Sequence, residues 1–150
     1  MDEIGFDTIV LGYDGSEGAE RAARLAMSLA RAYGATILVV FAYPQLRWVA
    51  TAEMAAVYAP IPMPDDAEEV RAAREMVDAL VERMRETGVE AKGLVVEGPA
   101  ADTILDTAAE HERCLIVVGS RGFGQFRGLL LGSTSDRVVH HAHTPVLVAR

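Results

Sequence analysis

The 150-residue chain has one cysteine, one lysine and no run of 18 consecutive apolar residues. Each shortage excludes something. Cys114 has no second thiol in the chain to pair with, so an intrachain disulfide is ruled out. Its place at the front of an apolar run reads as a buried, inert thiol. No apolar stretch is long enough to cross a bilayer, and no basic segment leads into an apolar one at the start. The chain therefore reads as cytoplasmic, with no membrane partner. The sole lysine, Lys92, stands nowhere near a Gly-Lys-Ser or Gly-Lys-Thr tripeptide, so the Walker loop G-x-x-x-x-G-K-[ST] is absent.

Basic charge is also scarce, and it is unevenly placed. The formal net charge is −8. Residues 1–112 hold 9 Lys and Arg against 21 Asp and Glu, net −12, whereas residues 113–150 hold 5 Arg against Asp136 alone, net +4. An acidic chain repels nucleic acid backbones, which argues against DNA or RNA as a partner. The positive share coincides with a glycine-rich stretch, where Arg121 and Arg127 can supply local charge to an anion. At 51% hydrophobic and 24% charged, a chain of this length reads as one domain over 1–150. Such a domain buries about 68–70% of its unfolded surface without staples.

What is present is a run of apolar residues, Leu115-Ile116-Val117-Val118, ending in Gly119-Ser120-Arg121-Gly122 and followed by Gly132-Ser133 before a helical pattern. A buried strand running into a Gly-rich turn and a helix presents unpaired backbone N–H groups, and the helix dipole adds partial positive charge. That combination is an anion cradle. The dinucleotide fingerprint G-x-G-x-x-G fails, because Gly122, Gly124 and Gly128 place the third glycine one residue late.

The remaining pattern, Gly119-x2-Gly122-x9-Gly132-Ser133, resembles the ATP-binding signature of the universal stress protein family. Three other segments carry the same resemblance: Val10-Leu11-Gly12-Tyr13-Asp14-Gly15-Ser16 as a first-strand ending, Gly98-Pro99-Ala100 opening the third helix, and Thr144-Pro145-Val146-Leu147-Val148-Ala149-Arg150 as a closing strand. The resemblance implies strand order 3-2-1-4-5, a loop after strand four that wraps phosphates, and ATP, ADP or AMP as ligand with Mg²⁺ as a candidate companion ion. It also implies a homodimer through strand 144–150, where alternating Val146 and Val148 on an edge offer a template for antiparallel pairing.

Periodicity fills in an α/β fold with a doubly wound, Rossmann-like parallel sheet of five strands and four helices. The strands are expected at 6–12, 35–42, 89–97, 113–118 and 145–149. Helix one runs from an N-cap at Ser16 to Tyr33 with Gly34 behind it, and helix two from Asp65 or Asp66 to Gly88. Helices three and four are expected at 100–111 and 132–141. The connection 43–64, with Pro44, Pro60, Pro62 and Pro64 among apolar residues, breaks the alternation. It reads as a cover for a ligand or partner, or as a loop folded over its own core, with a short helix at 50–56.

Ligands of such sheets bind at the carboxyl ends of the strands, which collects the candidate residues on one rim. Asp14 is an Asx-turn residue by its Asp-Gly context, or a carboxylate for a ribose hydroxyl or a divalent cation; the resemblance favours the ribose. Val40 is a core valine by periodicity, and by resemblance offers its backbone N–H and C=O to an adenine edge. Gly12, Val118, Gly119, Ser120, Arg121, Gly122 and Gly132 complete the cradle, the glycines permitting positive φ or close backbone approach. Ser133 is suited to cap helix four or to bond a phosphate oxygen, and Thr134 is a second hydroxyl of the same kind. His140, His141 and His143 fan out at a helix end, where cations are favoured without any metal.

Function then divides by class. The preferred reading is an ATP- or AMP-binding regulatory module of the stress response. The alternative is a slow ATPase or nucleotidyl-transfer enzyme; against it stand the missing Walker lysine and the lack of a residue to position water. A backbone cradle holds ground and transition states alike, so it gives affinity with little rate. A nucleotide-independent dimeric scaffold is the third reading.

Overall fold

The computed structural model describes residues 5–43, 66–122 and 131–150. The expected helix at 50–56 and the loop residues Gly124 to Arg127 lie outside the described residues. The order of elements is β1 (Thr8–Gly12), α1 (Glu17–Tyr33), β2 (Thr36–Tyr43), α2 (Asp66–Glu86), β3 (Ala91–Glu97), α3 (Ala100–Ala109), β4 (Cys114–Gly119), α4 (Ser133–His141) and β5 (Val146–Ala149). The strands form one parallel sheet in the order β3-β2-β1-β4-β5.

Each apolar strand is shared between two cores by side-chain alternation. On one face Ile9, Leu11, Ile37, Val39, Leu115 and Val117 pack beneath α1 and α2. On the other, Val10, Val40, Cys114, Ile116 and Val118 meet Ala101, Ile104 and Ala108 of α3 and Val138 of α4. This two-sided burial is why β4 reads as an unbroken apolar run. Burial pushes the Cys114 thiol above its ordinary pKa, opposed by a hydrogen bond from the Val10 backbone, so the inert-thiol expectation fits.

Local sequence explains the ends. Ser16 caps α1 by accepting the Ala19 N–H at 3.2 Å, and Gly34 closes the helix in the left-handed conformation at φ 67°. The face of α1 against the sheet is built from Ala19, Ala22, Ala23, Ala26 and Ala30, small side chains that let the helix lie close. Helix α3 ends at Ala109 rather than His111, because Glu110 and His111 turn back onto Thr107 and Ala108. Strand β4 extends one residue past Val118, since Gly119 still pairs with Ala149.

The two edges of the sheet differ. At β3, Arg85 of α2 lays Nε and a terminal nitrogen on the Ala91 carbonyl at 3.1 and 2.8 Å, and the exposed Lys92 follows. At β5 the edge residues Val146, Leu147 and Val148 are apolar and half-buried.

Candidate functional site

The sheet's switch point lies between β1 and β4, where the chain leaves β1 for the α1 face and β4 for the α4 face. A cavity of about 280 Å³ opens there, at the carboxyl ends of the strands. Of the residues nominated from sequence, Gly12, Asp14, Val40, Val118, Gly119, Arg121, Gly122, Gly132, Ser133 and Thr134 all line it. Ser120 does not. It is buried, its N–H donates to the Ala149 carbonyl at 2.7 Å, and its carbonyl accepts the Gly132 N–H at 2.6 Å and the Ser135 hydroxyl at 3.1 Å.

One part of the cavity is apolar, built by Val40 and Ala42 of β2, Val118 of β4 and Ile104 of α3. The other is made of backbone and hydroxyls from the β4 loop and the start of α4. At α4 the cap position is Gly132, which has no side chain to offer, so the first-turn N–H groups lack the usual side-chain acceptor. Ser135 turns its hydroxyl inward to the carbonyls of Ser120 and Gly132 instead. The same is true of α3, which begins behind Pro99 with no capping hydrogen bond and presents Ala100 to the cavity. Two helix N-termini without a side-chain cap among the described residues therefore face one space.

The glycines act here through space rather than through φ. Gly119, Gly122 and Gly132 all have negative or extended φ; among the described residues the glycines with positive φ are Gly15, Gly34, Gly88 and Gly98. A Cβ on Gly119 would lie 2.6 Å from the Gly18 carbonyl carbon, so helix α1 and the β4 loop touch backbone to backbone. A Cβ on Gly122 would lie 2.7 Å from Asp14 Oδ2. The Asp14 carboxylate is thus packed over the loop.

Of the roles considered from sequence, Asp14 performs the Asx turn and leaves a second carboxylate oxygen on the cavity side. Its Oδ1 accepts the Ser16 N–H at 2.9 Å, closing an Asx turn, while Oδ2 faces Gly122 and the cavity. It is the one carboxylate among the residues lining the cavity. Among the described residues no group of three or more His, Cys, Asp or Glu is arranged for a metal, the C-terminal histidines included. Arg121 is exposed at the rim and forms no ion pair among the described residues.

Two sequence expectations are corrected. Val40 cannot offer a free backbone, because its carbonyl accepts the Tyr13 N–H at 3.0 Å and it forms the last rung with Gly12; what it gives the cavity is its side chain. Ladder alternation turns Ala42 toward the same side two residues later, where β1 has ended, so Ala42 keeps its register with Val96 of β3 and has no β1 residue beside it. Ser133 is the first helical residue and Gly132 the cap, so the capping role falls away and both hydroxyls, Ser133 and Thr134, lie along the cavity.

Ile104, Ala42, Ser16 and Gly18 were not nominated. Ile104 stands one helical turn after Ala100, and its Cδ1 would meet a Cβ on Gly12 at 2.6 Å, so a side chain at Gly12 would collide with the cavity wall. Gly18 had a signal: a glycine inside a helix costs about 1 kcal/mol against alanine and so asks for a packing reason.

The first turn of α1 is electrostatically closed. The Tyr13 hydroxyl donates to Glu20, whose carboxylate also receives Arg83 of α2 at 3.0 and 3.2 Å. Burial, then the Glu20 carboxylate, push the Tyr13 phenol up to about 12. Burial raises the Glu20 pKa, but the Tyr13 and Arg83 hydrogen bonds outweigh it and hold the group below its ordinary value. Donors, one carboxylate oxygen and an apolar slot suit an anion joined to a flat apolar body through hydroxyl-bearing atoms.

Comparison with known proteins adds the lineage. The model of the universal stress protein family matches residues 5–150. A Thermus aquaticus protein described as a universal stress protein in the QAH/OAS sulfhydrylase 3′ region is 42% identical over 147 residues, covering 97% of this chain and 99% of that one. The structure of universal stress protein UspA from Lactobacillus plantarum superposes with TM-score 0.77 at 25% identity, over 99% of this chain and 100% of its own. A universal stress protein in complex with cAMP superposes with TM-score 0.70 at 25% identity, over 97% of this chain and 98% of its own.

Proposed function

This chain belongs to the universal stress protein family, and on that premise we propose that its rim cavity binds an adenine nucleotide, ATP or AMP, in a regulatory rather than a catalytic role. The observation that carries the reading is the meeting of an apolar slot, a lone carboxylate oxygen and the uncapped start of α4 in one cavity of about 280 Å³. The cAMP bound by a structural relative supports an adenine ligand.

In this reading the adenine lies between Val40, Val118 and Ile104, with its edge on the Ala42 backbone. Asp14 Oδ2 accepts a ribose hydroxyl. The N–H groups of Arg121, Gly122 and the α4 start, with the Ser133 and Thr134 hydroxyls, hold the phosphates, and the Arg121 side chain adds charge at the rim. One free carboxylate oxygen is a poor cage for a divalent ion, so Mg²⁺ would be held mainly by the phosphates themselves. Strand 144–150 serves as the homodimer edge. Among the described residues lining the cavity none pairs a base with a nucleophile, which favours binding over turnover.

The test is to heat-denature freshly purified protein and identify what it releases by mass spectrometry, beside a Gly122→Val, Gly132→Val double variant. Adenine nucleotide near one per subunit, lost in the variant, is the expected result. No release and no uptake of added ATP or AMP would leave the scaffold reading. Single-turnover hydrolysis with Mg²⁺ well above background would replace the binding reading with the ATPase one.

A further inference from the structure

The turn that presents Asp14 is held from the far side of the sheet. Side-chain alternation along β1 continues one step beyond the strand: Ile9, Leu11 and Tyr13 belong to the α1–α2 core, while Asp14 faces the cavity on the other side. Tyr13 is 7% exposed, and its hydroxyl donates to Glu20 in the first turn of α1. Glu20 in turn receives Arg83 of α2, 63 residues on, at 3.0 and 3.2 Å. Between Tyr13 and Glu20 lie Asp14, the left-handed Gly15 at φ 80°, and Ser16, whose N–H holds Asp14 Oδ1 at 2.9 Å. The segment is therefore clamped at both ends, by the Tyr13 N–H on the Val40 carbonyl and by the Tyr13 hydroxyl on Glu20. Gly15 is its freest point.

We propose that Tyr13, Glu20 and Arg83 are positioning residues that fix the Asp14 carboxylate in the cavity and thereby set how strongly it recognises the hydroxyl-bearing part of the ligand. This rests on the nucleotide reading given above. The Glu20–Arg83 pair is partly exposed, with side chains 31% and 56% accessible, so it orients the Glu20 carboxylate more than it stabilises the fold. The buried Tyr13 hydroxyl has the stronger hold, since a hydrogen bond to a carboxylate is worth about twice a neutral one. Of the three only Tyr13 lines the cavity, and its hydroxyl is taken by Glu20, so loss of that hydroxyl or of Arg83 should act through Asp14 and be felt by the sugar and not by the phosphate.

The experiment measures AMP and 2′,3′-dideoxy-AMP affinity by calorimetry for wild type, Tyr13→Phe and Arg83→Met, with amide exchange at Ser16 in the ligand-free proteins. Expected for Tyr13→Phe is a loss of about three- to tenfold in AMP affinity, dideoxy-AMP within about twofold, and faster Ser16 exchange. Arg83→Met should follow in the same direction by a smaller factor. Unchanged AMP affinity, equal weakening of both nucleotides, or unchanged Ser16 exchange in Tyr13→Phe overturns the proposal. A wild type that takes up neither nucleotide overturns the nucleotide reading by itself, and the Ser16 exchange then decides alone whether the chain positions Asp14.

Discussion

Helices α1 and α4 both start at the cavity, and they start in opposite ways. Helix α1 satisfies its own first turn: the Ser16 hydroxyl accepts the Ala19 N–H, and Glu17 and Glu20 place negative charge where the helix dipole is positive. Helix α4 begins with Gly132, which offers no acceptor, and its first-turn acid, Asp136, has its carboxylate 3.6 Å from His140. The difference teaches that an anion site is made by withholding a residue. A capped helix carries its counter-charge covalently, and an uncapped one leaves room for a ligand to bring it.

Giving α4 a cap of its own is the harshest way to break the contrast. Gly132→Asp fits the extended φ of −70°, with the new Cβ about 3.4 Å from the Arg121 Cα. It should raise thermal stability by about 1 kcal/mol in the ligand-free protein while cutting nucleotide affinity by more than about 100-fold. Calorimetric binding beside a melting curve checks both signs; a variant that binds as well as wild type breaks the contrast.

The next effect opens α1 with alkali. The Tyr13 phenol, raised to about 12 from an ordinary 10.0, is favoured neutral in the fold. Its contribution, roughly 2 kcal/mol at most, is complete below pH 10 and lost as pH rises toward 12. Tyr13→Phe should lack that loss, which urea midpoints at successive pH values will resolve. Glu20 has the opposite sense: held below its ordinary value, it stabilises above that value and loses its contribution as pH falls through the lowered one.

A milder change removes the α1 cap. Ser16→Ala should cost about 1 kcal/mol of stability with nucleotide affinity moved by less than about threefold, because the Ser16 N–H that holds Asp14 survives. Smallest is Arg121→Gln at the exposed rim. It should weaken ATP by about two- to fivefold at low ionic strength and have no measurable effect at high salt, since an exposed charge is screened.

Much of this contrast was legible in the sequence. The alternation of apolar runs with three- and four-residue periodicity marks the nine elements among the described residues, and Ser16 and Gly34 announce the ends of α1 because capping chemistry is local. The spacing Gly119-x2-Gly122-x9-Gly132-Ser133 finds the loop for the same reason. What escaped depends on register and on distance. Whether Val40 or Ala42 has a β1 residue beside it is decided by where β1 stops beside β2, a fact about two strands and not one. Gly18 matters only because Gly119 and Arg121 arrive against it from a hundred residues on. Arg83 meets Glu20 across 63 residues with no pattern to signal it. Ser133 stood open in sequence between cap and phosphate ligand, because the capping rule prefers serine over glycine, and the structure gives the cap to Gly132.

The Arg85 fork on the Ala91 carbonyl bears on how large an assembly this molecule can build. Among the described residues, the Ala91 end of the β3 rim is occupied by the protein's own arginine and followed by Lys92, whereas the β5 rim is apolar and half-buried. In the proposed dimer a second copy joins at β5, and among the described residues the β3 rim left outside carries Arg85 and Lys92. In such a dimer, one side chain laid across one oxygen works against a sheet of strongly apolar strands lengthening into a ribbon.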